Sequence, residues 1–96
     1  MNVQIKLDFR SKIPIYRQII DQIKHLIASG ALTVDDQLPT VRELADDLGV
    51  NFTTVARAYR LLDEEGLIST QHGRGTYILP LPADLTERAF RREGLE

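Results

Sequence analysis

With 96 residues, 43% of them hydrophobic and 27% charged, the chain has room for one modest core and the composition of an ordinary globular domain. It has no cysteine, which excludes a disulfide framework and a cysteine zinc site, and no apolar run reaches the ~20 residues that a membrane helix needs. The formal net charge of -2 weighs mildly against a nucleic-acid partner, because affinity for phosphate comes largely from lysine and arginine, although their distribution counts for more than their sum.

Taken in order, Val3, Ile5, Leu7 and Phe9 alternate with Gln4, Lys6, Asp8 and Arg10, the period of a half-buried strand or extended arm. This start lacks the basic opening and apolar centre of a secretory signal, so a cytoplasmic location is expected. Pro14 suits the opening of a helix, and Tyr16, Ile19, Ile20, Ile23, Leu26 and Ile27 recur at helical spacing up to a stop at Gly30. Residues 31–39 read as a connector.

Thr40 and Glu43 have the spacing of a capping box, so a short second helix is predicted there, with Val41, Leu44, Ala45 and Leu48 inward and Gly49 at its end. Val50 is expected as a buried turn residue. Asn51 is a good cap for a third helix running to about Glu65, with Val55, Ala58, Tyr59 and Leu62 facing inward and Gly66 closing it. From Leu67 the pattern turns to strands, with Ile68 to Gln71 and Thr76 to Leu79 flanking a basic tip of His72, Gly73, Arg74 and Gly75. Pro80 and Pro82 break the pairing. Asp84 with Glu87 then forms a second capping box, for a short helix from Leu85 to about Gly94. The expected division is a domain over 1–79 and a linker with a short C-terminal helix over 80–96.

The fold class predicted is mostly α with a small β-hairpin: a winged helix-turn-helix of three helices plus a wing. A major groove admits one α-helix, whose N-terminal residues meet base edges while the preceding helix crosses the backbone. On the third helix, Thr53, Thr54, Arg57 and Arg60 lie opposite the apolar stripe, and hydroxyl and guanidinium groups suit base edges or phosphate. Arg42, in the first turn of the second helix, is expected at a phosphate, with Thr40 primarily a cap. Gly73 and Gly75 let the tip turn tightly, and His72 and Arg74 can reach the minor groove or phosphates. Tyr59 is expected in the core rather than at DNA.

Residues Pro14 to Leu79 resemble the winged-helix domain of the GntR family of transcription regulators. The resemblance rests on Leu38-Pro39-Thr40-Val41-Arg42-Glu43-Leu44-Ala45, on the turn Leu48-Gly49-Val50, on Thr53-Thr54-Val55, and on Glu65-Gly66-Leu67-Ile68 followed by Gly73-Arg74-Gly75-Thr76-Tyr77-Ile78. Pro14-Ile15-Tyr16 with Gln18 and Ile19, and Thr54 to Tyr59, are similar to the YtrA subfamily of small repressors. The resemblance implies a homodimeric repressor on an inverted repeat, with DNA contacts at Arg42, Thr53, Thr54, His72 and Gly73. The sequence departs from the family at Phe52, where a polar or basic residue is common, at Val34-Asp35, where Pro-Gly is common, and at Ala56, which some relatives replace with a basic residue. Phe52 is expected to shield the turn rather than to meet a thymine methyl.

The family also carries an effector or dimerisation region, for which Ala83 to Glu96 is too short to form an ordinary ligand pocket. No small-molecule effector, cofactor or metal is therefore expected on this chain, and the short C-terminal helix is the candidate dimer element. His25 is a surface or structural residue, since Ala28 and Ser29 are not ligands. Two other readings remain: a winged helix used for protein docking, suggested by the negative charge and Phe52, and the regulatory fragment of a MocR-type protein, which joins such a wing to an aminotransferase-like domain. Catalysis by this chain is not expected.

Overall fold

The computed structural model describes residues 4–71 and 75–80. Three helices, α1 (Ile15–Ala28), α2 (Val41–Leu48) and α3 (Phe52–Glu64), are combined with three short strands, β1 (Gln37–Leu38), β2 (Ile68–Gln71) and β3 (Gly75–Ile78). The sheet is antiparallel in the order β1-β3-β2, with Leu38 opposite Thr76 and Thr70 opposite Thr76 on the other side. α3 is central, packing against α1, α2 and β2. The proposed C-terminal helix, the wing tip and the linker beyond Pro80 lie outside the described residues.

Local chemistry accounts for the helix limits. Pro14 stands just before α1 rather than inside it, and its carbonyl accepts the amides of Arg17 and Gln18 at 3.1 Å. The capping box on α2 is complete: Thr40 Oγ1 accepts from the Glu43 amide at 3.1 Å, and the Thr40 amide donates to Glu43 Oε1 at 3.0 Å. Gly49 ends α2 at φ 68°, a conformation that costs glycine little, and the Val50 amide reaches back to the Ala45 carbonyl at 3.1 Å. Residues 49–51 therefore suffice to turn the chain into α3. The predicted inward stripes are observed, since Ile19, Ile20, Ile23, Leu44, Ala45, Val55, Ala58, Tyr59 and Leu62 are all buried, with Ile5, Leu32, Leu38, Leu67, Ile68 and Ile78 completing the core. Val50 is only half-buried, packing at the edge of that core.

Two segments differ from the sequence expectation. The stretch 31–39 is more than a connector, because β1 adds a third strand beside β3. It is reached through a turn at Thr33 to Asp36, whose amide–carbonyl bond measures 3.0 Å and which places Asp35 at φ 72°. A turn with a left-handed third residue favours Pro-Gly at its centre, so the physical reason for that pair in the family is visible here, and Val34-Asp35 meets the same geometry with more strain. The Asp36 carboxylate compensates by accepting from the Thr33 amide at 2.8 Å and from its hydroxyl at 3.1 Å.

The alternation suggests a strand or extended arm, but the described part of the N-terminal segment, residues 4–8, pairs with no strand. Its neighbours are two glutamine side chains one turn apart on α1. The Lys6 amide donates to Gln22 Oε1 at 2.8 Å, and Gln22 Nε2 donates to the Lys6 carbonyl. The Asp8 amide donates to Gln18 Oε1 at 2.8 Å, while Gln18 Nε2 donates to the carbonyls of Asp8 at 3.0 Å and Ile13 at 2.9 Å. The spacing matches, because alternate residues of an extended chain are ~6.6 Å apart and residues four apart on a helix ~6 Å. The carboxamides thus substitute for a β-neighbour and hold Ile5 and Leu7 against the core.

Substitutions at two positions test these features by urea denaturation. Gln18→Leu keeps the volume but strands the Asp8 amide, and is expected to cost about 2 kcal/mol with lost exchange protection at that amide. Asp35→Val is expected to cost about 1–2 kcal/mol, since a branched side chain resists positive φ, whereas Asp35→Gly should be neutral or stabilising.

Candidate nucleic-acid interface

The face of the domain available to a partner is set by which side of α3 is used up in packing. Val55, Ala58, Tyr59 and Leu62 are buried, which turns Thr53, Arg57 and Arg60 to solvent and leaves Thr54 and Ala56 half-buried at the shoulders. Thr40 and Arg42, at the start of α2, are also exposed. Of the residues expected at the site, Thr40, Arg42, Thr53, Thr54 and Arg57 are thus on described helices. His72, Gly73 and Arg74 lie outside the described residues.

Thr53 is fixed by its own cap. Asn51 Oδ1 accepts from the Thr53 amide at 2.9 Å and from the Thr53 hydroxyl at 2.7 Å. The hydroxyl proton is therefore committed, and what Thr53 offers outward is an acceptor and a methyl group. That constraint was not visible from the residue type alone.

Two of the exposed arginines, Arg42 and Arg57, are each seated on an aromatic ring. The Arg42 guanidinium carbon is 5.6 Å from the centre of the Phe52 ring, linking α2 to the first residue of α3. The Arg57 guanidinium carbon is 4.0 Å from the Tyr16 ring, linking α3 to α1. Both separations fall within the ~6 Å over which a cation is attracted to a ring face. Phe52 does not shield the turn as expected, since it remains 48% exposed; its ring instead lies against a charge. The apolar periodicity of the first helix places Tyr16 with the core, and it does pack at the core's edge. Its second contact, with a residue far along the chain, carries no signal at helical spacing.

Behind this face, Tyr59 occupies the core as expected, and its hydroxyl donates to the Pro39 carbonyl at 2.7 Å. Burial, with a smaller push from the Glu43 carboxylate, raises the phenol well above its ordinary pKa, so it remains a neutral donor. The wing is anchored from α3 as well, since Asp63 Oδ2 accepts from the Thr70 hydroxyl at 2.9 Å and from its amide at 3.4 Å. Where β3 leaves the wing tip, Gly75 has φ 93°, and a Cβ there would stand 2.6 Å from Gln37 Nε2. Among the described residues no cluster of His, Cys, Asp or Glu could hold a metal, and no helix is long and apolar enough to cross a membrane.

Charge is distributed against the preference of α3 as an isolated helix. Arg57 and Arg60 precede Asp63 and Glu64, whereas the helix dipole favours acids early and bases late. The arrangement suits a helix whose leading half approaches a polyanion and whose tail stays away from it.

Three helices, a very short turn between the second and third, and a hairpin pinned to the third define a winged helix-turn-helix domain. Residues 15–78 match the gntR family of bacterial regulatory proteins, and the chain belongs to that family. It is 51% identical over 74 residues to the HTH-type transcriptional repressor YtrA of Bacillus subtilis, covering 77% of this chain and 57% of YtrA. It is 37% identical over 78 residues to the probable rhizopine catabolism regulatory protein MocR of Rhizobium meliloti, covering 81% of this chain and 16% of MocR. The chain thus spans little more than half of YtrA, a transcriptional repressor by name, and a small part of MocR, a regulatory protein by name. Among solved structures, YtrA from Sulfolobus acidocaldarius superimposes with a TM-score of 0.76 at 45% identity, over 95% of this chain and 96% of that one. The DNA-binding domain of AraR in complex with operator ORE1 superimposes with a TM-score of 0.66 at 30% identity, over 79% and 93%.

The core anchor of the interface is open to a direct check. Tyr59→Phe leaves the Pro39 carbonyl without its donor and is expected to cost about 1–2 kcal/mol in chemical denaturation, with the helical circular dichroism spectrum retained.

Proposed function

We propose that the chain is the sequence-specific DNA-binding domain of a cytoplasmic transcription repressor that acts as a homodimer on an inverted repeat. The observation that carries this reading is the outward face of α3, where Thr53 and Arg57 project beside Thr54 from a helix otherwise packed on α1 and α2. The leading half of α3 enters the major groove, with Thr53 and Thr54 at base edges. Because the Thr53 hydroxyl donates to Asn51, it meets a base as an acceptor through its lone pairs or as a methyl, which suits the amino group of adenine or cytosine, or a thymine methyl.

Arg42 holds a phosphate at the start of α2, where the capping box occupies the amides of Thr40 and Glu43, so Thr40 acts mainly by shaping that terminus. The wing tip, with His72, Gly73 and Arg74, lies at the minor groove. Support comes from family membership and from the likeness to AraR bound to its operator. Two recognition helices one DNA turn apart, ~34 Å, read both half-sites together, and residues 80–96 supply the dimer contact. An effector, where the regulator uses one, is not bound by these 96 residues.

Selecting bound duplexes from a random pool tests the reading. An inverted repeat should emerge, and binding should weaken steeply with salt. Thr54→Ala should cost ~1–3 kcal/mol on the selected duplex and relax the preference at one base position, while Arg42→Ala should weaken all duplexes alike. Failure of the unmodified protein to prefer any duplex would sink specific recognition and favour a docking role for the winged helix.

A further inference from the structure

The two arginine–aromatic pairs lie on opposite flanks of the recognition helix. Phe52 and Arg57 are five residues apart, about 140° around the helix axis, with Thr53 between them and Thr54 beyond Arg57, so it is the ring each guanidinium meets that draws it aside. On one flank the Phe52 ring meets Arg42 of α2, and on the other the Arg57 head is drawn towards Tyr16 of α1. A helix lying in a major groove ~12 Å wide has a phosphate backbone on either side and base edges ahead of it. A guanidinium drawn aside towards α2 or α1 would stand nearer to a backbone than to the bases ahead of the helix.

Seating on a ring suits this role chemically. A guanidinium held over an aromatic face keeps its N–H donors, which lie in its own plane, available for a phosphate. It also loses less rotamer freedom on binding than an arginine free in solvent. Neither arginine is neutralised, since among the described residues the ion pair is Lys24 with Glu65 at 2.8 Å. Phe52, 48% exposed in water, also acquires a reason to be there: it replaces the polar or basic residue common at this position by a platform for the cation next to it.

We propose that Arg42 and Arg57 form a phosphate clamp straddling the recognition helix, with Phe52 and Tyr16 as its positioning residues, so that Arg57 sets affinity and leaves base choice to the threonines. This rests on the DNA-binding reading above and assigns Arg57 a backbone role within it.

The test measures binding of the 96-residue chain to a random-sequence duplex and to the duplex recovered by selection, across a salt series. Arg57→Ala should weaken both duplexes by the same factor and reduce the salt slope by ~1. Phe52→Leu and Tyr16→Leu should each weaken both about threefold, whereas Phe52→Tyr and Tyr16→Phe, which keep the ring, should bind as the unmodified protein does. Phe52→Leu should add nothing in the Arg42→Ala background, nor Tyr16→Leu in the Arg57→Ala background. Thermal melts establish that the variants are folded; should Tyr16→Leu unfold the chain, the exposed Phe52 series and Arg57→Ala decide the matter.

A change in the ratio of selected to random binding on Arg57→Ala would overturn the clamp and make Arg57 a base reader. Loss of binding in Tyr16→Phe would replace the ring by the hydroxyl as the active group, and additive double variants would remove the coupling. If the unmodified protein binds neither duplex, the DNA reading itself fails; if it binds both and the aromatic variants match it, the clamp alone fails.

Discussion

The buried phenol of Tyr59 is the point at which the recognition helix, the strand β1 and the start of α2 are tied together. Its ring lies in the core and its hydroxyl reaches the Pro39 carbonyl at 2.7 Å, one residue before the Thr40 cap. Without that bond a buried donor and a carbonyl would both lack partners, which is costly in a low-dielectric interior. The bond therefore fixes where α2 begins relative to α3, and hence where Arg42 stands beside Phe52. Burial also keeps the phenol protonated, so this registration holds through the physiological pH range.

From that anchor the geometry of the outward face follows. α3 buries one stripe and is held on both sides, by α1 and by α2, so that only a narrow face is free. At its start Asn51 accepts two hydrogen bonds from Thr53, and at its end Asp63 accepts from Thr70 on β2. The same helix thus orients the residue at its tip and the strand that leads into the wing. The Lys24–Glu65 pair joins the ends of α1 and α3, but it is exposed and contributes little beyond orientation. The overall charge of -2 is a poor guide to this surface, because its acids gather at the tails of α2 and α3 while its arginines flank the leading half of α3.

What could be read from the sequence was what is encoded locally. Thr40 with Glu43, Asn51 and Gly49 announce the ends of α2 and α3 through bonds that span a few residues, and the apolar stripes follow the helix period. β1 was not legible, because two residues pairing with a distant strand show no alternation. The clasp of the N-terminal arm was missed for a related reason: Gln18 and Gln22 resemble ordinary polar residues of an amphipathic helix until the arm is laid across them. Phe52 was misread because an exposed phenylalanine on a turn invites a hydrophobic explanation, whereas its partner is a cation on another helix.

Phe52 also bears on how the domain could discriminate among sequences. A charged or polar side chain at the tip of a recognition helix can hydrogen-bond a base edge, and with phenylalanine there that option is gone. Ala56 removes another such group, and the Thr53 proton is held by Asn51. The tip of α3 therefore presents methyl groups, hydroxyl groups and a ring, with Arg42 and Arg57 drawn onto aromatic faces and with the Thr54 hydroxyl and Arg60 as further donors. Such a surface favours bases that display amino or methyl groups in the major groove over the paired acceptors of guanine, which call for an arginine pointing straight ahead. On the proposed reading, selectivity would rest on holding Arg42 and Arg57 away from the groove floor as much as on placing the threonines at it.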